Sequence, residues 1–264
     1  MIGISKLYLG SVEVSDPLRY GRMSRRLPSH LLQFSADKKP VVVWNVTSRC
    51  NLKCMHCYAA TQGEPQEMDT GAALAFIDDV AAFGSPVLLF SGGEPFVRPD
   101  VLQLARHAAA RGLRVVFSTN GTLIDAVLAA RIKEIGVSYV GISIDGMESV
   151  HDRFRACAGA FRRTLAGIRH CRDAGVKVGL RMTLTKDNVG EVEAVFDLLE
   201  AERIPRICFY HLVYCGRGAA IAAHDLEADR RRAVVNLIID RTKRLHARGF
   251  TAEVLTVDNH CDGP

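Results

Sequence analysis

Short apolar runs rich in β-branched residues alternate along the chain with longer segments in which apolar residues recur every three or four positions. The first pattern is typical of buried strands and the second of amphipathic helices. Strands are predicted at residues 41–47, 86–92, 113–121, 137–146, 176–184 and 206–213. Helices are predicted at residues 70–83, 100–111, 124–135, 160–174, 189–202 and 226–248.

This alternation predicts an α/β fold in which helices cover a parallel sheet that is either doubly wound or curled toward a barrel. Gly112, Gly136 and Gly175 stand where three of the helices should end, and glycine readily adopts the positive φ of a helix C-terminus. In both arrangements we expect the functional residues at the carboxyl ends of the strands.

The two ends of the chain differ from this core. Residues 1–40 have no strong periodicity and contain three prolines, so they are expected to form an arm or cap outside a core that spans 41–225. After the last helix, residues 253–257 have the pattern of a further strand that no helix closes. Residues 226–264 are therefore expected to begin a C-terminal segment that has been cut short.

Composition narrows the class of protein. The 264 residues are 48% hydrophobic, which is enough for one sizeable core. The first residues lack the layout of a secretory signal, and no apolar run approaches the roughly 18 residues of a membrane span. We expect a reducing, cytoplasmic setting, where eight cysteines are more typical of metal ligands or buried thiols than of disulfides. The net charge of +5 is scattered, so it favours no nucleic-acid site and suits a substrate with carboxylates.

The candidate chemistry begins directly after the first predicted strand. Cys50, Cys54 and Cys57 lie within eight residues, separated by three residues and then two. Three thiolates on one short loop can hold an iron–sulfur cluster. In a four-iron cluster they leave one iron open for a small molecule with an amino and a carboxylate group. A zinc site is the alternative, with His56 as the fourth ligand.

A second motif, Gly92-Gly93-Glu94-Pro95, follows the second predicted strand. The glycines let the backbone approach a ligand closely, Glu94 offers an acceptor to an amino group, and Pro95 stiffens the exit. Alone this string is typical of an ordinary turn. Here it comes one strand–helix unit after the cysteine loop, which favours a shared site.

Together with Tyr58 after the last cysteine, the two motifs resemble those of the radical S-adenosylmethionine (SAM) superfamily, over residues 41–213. The resemblance implies a partial (β/α)6 barrel whose three cysteines hold a 4Fe-4S cluster, with SAM on the fourth iron. One electron, from a reductant such as ferredoxin or flavodoxin, would cleave SAM to methionine and a 5′-deoxyadenosyl radical that abstracts a substrate hydrogen.

The same resemblance implies a SAM site. The Gly92–Pro95 segment would lie against the amino group of SAM, and five residues would line its ribose and carboxylate: Ser118, Asn120, Ser143, Asp145 and Arg181. The residue type of Arg181 is consistent with a contact to the carboxylate, since a guanidinium within an apolar strand requires an anionic partner. Asn120-Gly121 and Asp145-Gly146 are also ordinary turn pairs.

Residues 1–54 and the stretch 209–218, FYHLVYCGRG, resemble a narrower group, the radical SAM enzymes of alternative haem biosynthesis. The resemblance is to the didecarboxysiroheme deacetylase family in particular, with the haem d1 maturation enzymes next. That family removes acetate side chains from a modified siroheme and gives an iron coproporphyrin, which implies a tetrapyrrole substrate. His211, Tyr214 and Arg217 would then stand at the mouth, with Arg217 as a carboxylate clamp and His211 as an iron ligand, a proton donor or a packing residue.

Members of this group usually carry a further cysteine-rich C-terminal region with a second 4Fe-4S cluster, which would lie beyond residue 264. Cys171 and Cys208 are expected in the core, and Cys157, Cys215 and Cys261 show no ligand-like spacing. Two other functions are carried as alternatives: a radical SAM enzyme that modifies peptides or proteins, and an iron–sulfur or zinc module without catalysis.

Overall fold

The computed structural model describes residues 2–5, 39–60 and 67–257, so most of the expected arm and Cys261 lie outside the described residues. Within these ranges the strands form one sheet. They are β1 (Ile2–Gly3), β2 (Val42–Asn45), β3 (Val87–Ser91), β4 (Arg114–Thr119), β5 (Tyr139–Ser143), β6 (Val178–Leu184), β7 (Arg206–His211) and β8 (Glu253–Val257).

The helices of the described residues follow the strands in the predicted alternation. They are α1 (Thr70–Phe83), α2 (Val101–Ala110), α3 (Ala126–Ile135), α4 (Glu148–Arg155), α5 (Ala160–Asp173), α6 (Val192–Ala201), α7 (Arg217–Ala220) and α8 (Ala228–Ala247). None of them is both long enough and apolar enough to cross a bilayer.

Local chemistry sets several helix ends. The side chains of Asp69 and Asp125 accept hydrogen bonds from backbone N–H groups at the starts of α1 and α3. Gly84 and Gly136 end the same two helices in the left-handed conformation that glycine adopts without strain.

The sheet topology decides between the two predicted arrangements. The spatial order is β1-β8-β7-β6-β5-β4-β3-β2, in which β2 to β8 are parallel and β1 is antiparallel to β8. Parallel crossovers are right-handed, so strands added always in the same direction place their helices on one face. Accordingly α1 packs on α2, α2 on α3, and α3 on α5. Among the described strands β1 and β2 are the two edges, so the sheet is an open, partial barrel.

The two faces of the sheet differ in chemistry. Residues under the helices, such as Phe90, Phe117, Ile142 and Leu180, are fully buried and form the core. On the opposite face, alternate positions carry polar residues or stand exposed, and Val43 is 58% exposed. This second, concave face is bordered at one end by the carboxyl ends of the strands, where the cysteine loop lies.

Two helices were not predicted. α4 has the sequence ESVHDRFR, in which Phe154 is a fully buried apolar residue beside the buried polar residues His151 and Arg155. A pattern of apolar spacing cannot find such a helix. α7 is a single turn of four residues.

Candidate active site

The carboxyl ends of the parallel strands surround a cleft of about 330 Å³. This volume lies in the range of small-molecule sites. Most of the predicted site residues line it: Cys50, Cys54, Cys57, Gly92, Gly93, Ser118, Asn120, Ser143, Arg181, His211 and Arg217. Glu94, Pro95, Asp145 and Tyr214 do not line the cleft, and each has a different position, described below.

The Gly92-Gly93 pair lies directly against the root of the cysteine loop. Gly93 N–H donates to Thr47 O at 2.8 Å, and Glu94 N–H donates to Arg49 O at 2.9 Å. A Cβ on Gly92 or Gly93 would stand 2.2 Å from Thr47 O or Arg49 O, respectively. Both positions therefore require glycine because the backbone of the cysteine loop occupies the space, and this contact fixes where the loop begins.

Glu94 points away from the cleft and ties two strand ends together. Its carboxylate is fully buried and accepts hydrogen bonds from Thr119 Oγ1 and Asn120 N, both at 2.7 Å, and from Phe96 N at 3.2 Å. Burial raises the pKa of Glu94 to about 7, although these hydrogen bonds oppose the shift. In this position the carboxylate has a structural role, and the buried Pro95 next to it begins a 3₁₀ turn.

The second half of the cysteine loop is held by α4. Met55 N–H donates to Phe154 O at 2.9 Å, and the guanidinium of Arg155 donates to Cys54 Sγ at 3.5 Å. Asp145 pairs with the same guanidinium at 2.5 Å. Burial disfavours the ionised form of Asp145, but the nearby charges, above all Arg155, outweigh it and lower its pKa. Asp145 therefore stands behind the wall of the cleft as a carboxylate.

Sequence reasoning missed Arg155. Its contacts with Cys54 and Asp145 span long separations along the chain. The one local signal was an arginine that follows a buried phenylalanine at the end of a charged segment.

The exit of β7 closes over the cysteine loop from the other side. Arg217 N–H donates to Cys57 O at 2.9 Å, and Arg217 Nε donates to Cys54 O at 2.7 Å. Gly216 adopts a φ of +56°, and a Cβ there would lie 2.5 Å from Cys57 O. Tyr214 is 58% exposed on the rim, and its hydroxyl donates to Asp225. His211 is 6% exposed and lines the cleft.

Arg181 carries the cationic group that projects from β6 into the cleft. Its Nη1 donates to Ser118 Oγ at 2.6 Å, and its guanidinium lies 4.8 Å from the centre of the Tyr210 ring. No carboxylate of the described residues pairs with it within 4.0 Å, so its protein neighbours are a hydroxyl and a ring. This arrangement suits an anionic ligand in the cleft.

The residues present fit an iron–sulfur cluster and SAM. Three soft thiol donors face one cleft, and burial, together with the neighbouring Cys54 and Cys57, raises the pKa of the Cys50 thiol. Among the described residues no three His, Cys, Asp or Glu side chains are close enough to hold a single metal ion. For the zinc alternative, His56 would be the fourth ligand, but its Nε2 faces Asp145 Oδ2 at 3.6 Å.

The remaining cysteines of the described residues lie apart from this loop. Cys171 and Cys208 are buried in the core, as predicted. Cys157 is half-buried and contacts Arg163, whereas Cys215 is exposed.

The sequence is similar to those of known radical SAM proteins. The family profile of the Radical SAM superfamily matches residues 44–199. The chain is 60% identical along its whole length to the Fe-coproporphyrin III synthase of Methanosarcina barkeri, of which it spans 67%. Over 85% of the chain it is 41% identical to the pre-heme d1 synthase of Dinoroseobacter shibae, of which it spans 56%.

A solved structure agrees in fold. SuiB of Streptococcus suis, crystallised with S-adenosylmethionine, matches 83% of the chain with a TM-score of 0.70 and 16% identity, and half of SuiB is covered. At this identity the likeness concerns the fold alone. Since the superfamily profile spans both motifs and the sequence likeness extends along the whole chain, this chain belongs to the radical SAM superfamily, in the group that includes Fe-coproporphyrin III synthase and pre-heme d1 synthase.

Proposed function

We propose that this radical SAM enzyme removes the acetate side chains of didecarboxysiroheme and gives iron coproporphyrin III. The observation that carries the proposal is the 60% identity over the whole chain with a Fe-coproporphyrin III synthase. A peptide substrate has weaker support, since the mycofactocin maturase of Mycobacterium ulcerans is 32% identical over 65% of the chain.

Different residues of the chain would bind the cluster and SAM. When bound, a 4Fe-4S cluster and SAM supply the one-electron cleavage of SAM that provides a 5′-deoxyadenosyl radical for hydrogen abstraction. Cys50, Cys54 and Cys57 would hold the cluster as thiolates. Gly92 and Gly93 seat the exit of β3 against the cysteine loop, beside the place where the amino group of SAM would approach.

Arg181 would bind the carboxylate of SAM. Ser118 and Tyr210 hold its guanidinium from the side and from the face of the ring, so the group is oriented before a ligand arrives. Asn120 and Ser143 line the same wall and would contact the ribose.

The tetrapyrrole would enter over the rim formed by the exit of β7. Arg217 uses Nε to hold Cys54 O, which leaves its terminal nitrogens for a substrate carboxylate. The exposed ring of Tyr214 would contact the flat macrocycle, and His211 would donate or accept a proton inside the cleft. A ferredoxin or flavodoxin of the cytoplasm would supply the electron.

The test is product analysis. Anaerobically reconstituted protein is incubated with SAM, dithionite and didecarboxysiroheme. The tetrapyrroles are then separated by liquid chromatography and identified by mass spectrometry. Iron coproporphyrin III that depends on SAM supports the proposal. Unchanged didecarboxysiroheme in a reaction that still forms 5′-deoxyadenosine would contradict the substrate assignment and favour the peptide alternative.

A further inference from the structure

A buried charged pair lies directly behind the cysteine loop. The side chains of Arg155 and Asp145 are 8% and 1% exposed, and their nearest atoms are 2.5 Å apart. Arg155 is the last residue of α4, and Asp145 is the second residue after the end of β5. The pair is therefore anchored at the ends of two regular elements.

Each member of the pair has further partners. Arg155 Nη1 donates to Cys54 Sγ at 3.5 Å, which is within the range of a sulfur hydrogen bond. Asp145 Oδ1 accepts from Thr183 N at 3.3 Å, and Asn188 Nδ2 donates to Asp145 O at 3.1 Å. The carboxylate is thus held by β6 and the backbone of Asp145 by the exit of β6, while the guanidinium reaches from the carboxylate to a cysteine sulfur.

No other guanidinium of the described residues contacts one of the three loop sulfurs. Arg217 also reaches this loop, but its bonds go to the backbone oxygens of Cys54 and Cys57. Arg155 alone therefore places a positive charge beside a ligand atom, and it does so in a buried site where charges are weakly screened. Hydrogen bonds and charges around the ligand sulfurs are what tune the reduction potential of an iron–sulfur cluster.

We propose that Arg155 is a positioning residue for the Cys54 ligand, which orients its sulfur and raises the reduction potential of the cluster, and that Asp145 moderates this effect. A positive charge stabilises the reduced, more negative cluster, and the carboxylate partly cancels it. The inference concerns the cluster and is independent of which substrate the enzyme takes.

The experiment compares two variants whose midpoint potentials should shift in opposite directions. Arg155→Gln removes the positive charge and should shift the midpoint potential of the cluster to more negative values. Asp145→Asn keeps Arg155 and removes the opposing charge, so the potential should become more positive. Arg155→Lys retains the charge and should stay closer to the wild-type protein than Arg155→Gln. A purely structural role of the pair would not give shifts of opposite direction.

The measurement is a redox titration of the reconstituted, SAM-free protein, followed by the EPR signal of the reduced cluster, with iron and sulfide content determined in parallel. We expect at least a tenfold change in the reduction equilibrium for Arg155→Gln, which is about 59 mV for one electron. Arg241→Gln is the matched control, since Arg241 is another buried arginine, paired with Glu193 and Asp197 away from the cleft.

Two results would overturn the proposal. One is a wild-type potential in both Arg155→Gln and Asp145→Asn, and the other is a shift of both in the same direction. If Arg155→Gln holds no iron while Arg241→Gln does, the midpoint potentials of Arg155→Lys and Asp145→Asn are compared with that of the wild-type protein instead. An unchanged or more negative potential in Asp145→Asn then refutes the proposal.

Discussion

Arg181 lines the cleft and is held there by uncharged neighbours. A guanidinium in a sheet must find partners, and here they are the Ser118 hydroxyl and the Tyr210 ring rather than a carboxylate of the described residues. Arg181 lines the cleft, and no carboxylate of the described residues takes up the remaining donors of its fork, so a ligand carboxylate would find donors there for two hydrogen bonds.

We therefore expect Arg181→Met to weaken SAM binding about tenfold to a hundredfold, because a hydrogen bond to a charged group contributes about 1.5–3 kcal/mol. Binding is measured by equilibrium dialysis with the cluster-loaded protein. Arg206→Met is the control, since Arg206 likewise lies over a tyrosine ring, that of Tyr139, but does not line the cleft. Equal affinity of wild-type and Arg181→Met protein for SAM would remove Arg181 from the site.

Glu94 predicts a dependence of stability on pH. Its pKa is raised from 4.5 to about 7 in the folded protein, first by burial. The folded state thus keeps a proton that the unfolded state has released, so the free energy of unfolding should fall as pH rises from 4.5 through about 7. Glu94→Gln removes this contribution.

The check is urea unfolding of metal-free protein, with the variant compared with the wild type at each pH. The difference in unfolding free energy between them should change across this interval and be constant above it. A difference that is the same at every pH from 4 to 8 would show that Glu94 does not titrate as described.

At the scale of elements, the predictable part of the fold is the part with a repeating pattern. The strands and the longer helices are confirmed within a few residues, because buried strands and amphipathic helices both leave a periodic signal. The predicted helix 189–202 instead begins with a 3₁₀ turn, Val189–Glu191, and α4 was missed because its buried side chains are mostly polar.

In the site, too, some features could be predicted from the sequence and others could not. Glycines and cysteines at fixed spacing could be found in the sequence. The tie between Arg155 and Cys54 could not, because it joins residues about a hundred positions apart and depends on how α4 docks. Glu94 shows the complementary limit: its place in a motif was visible, but the direction of its carboxylate was decided by the end of β4.

The contact between the exit of β3 and the cysteine loop can be tested directly. In Gly93→Ala the new Cβ would meet Arg49 O at 2.2 Å, so the two segments must separate. We expect a loss of about 1–3 kcal/mol in unfolding free energy, as for other overpacked sites, together with reduced iron loading. Gly190→Ala is the matched control, because a Cβ at Gly190 meets nothing within 4 Å. Full iron loading and wild-type stability of Gly93→Ala would show that the contact does not constrain the loop.

At the scale of the whole molecule, the topology explains why one cleft can gather all these groups. From β2 to β8 successive strands are neighbours and run parallel, so their carboxyl ends open at the same edge of the sheet. The concave face below is left to polar and half-exposed residues. The chain spans 67% of the Fe-coproporphyrin III synthase and 56% of the pre-heme d1 synthase to which it is similar, and it contains the cysteine loop together with the polar strand ends that line the cleft.

The formation of 5′-deoxyadenosine from SAM by anaerobically reconstituted protein and dithionite, measured by liquid chromatography, tests the radical SAM activity most directly. We predict 5′-deoxyadenosine from the wild-type chain and none from Cys54→Ala, which should fail to retain the cluster, whereas Cys157→Ala should behave as the wild type. A wild-type protein that carries its full complement of iron and sulfide and forms no 5′-deoxyadenosine would contradict this prediction.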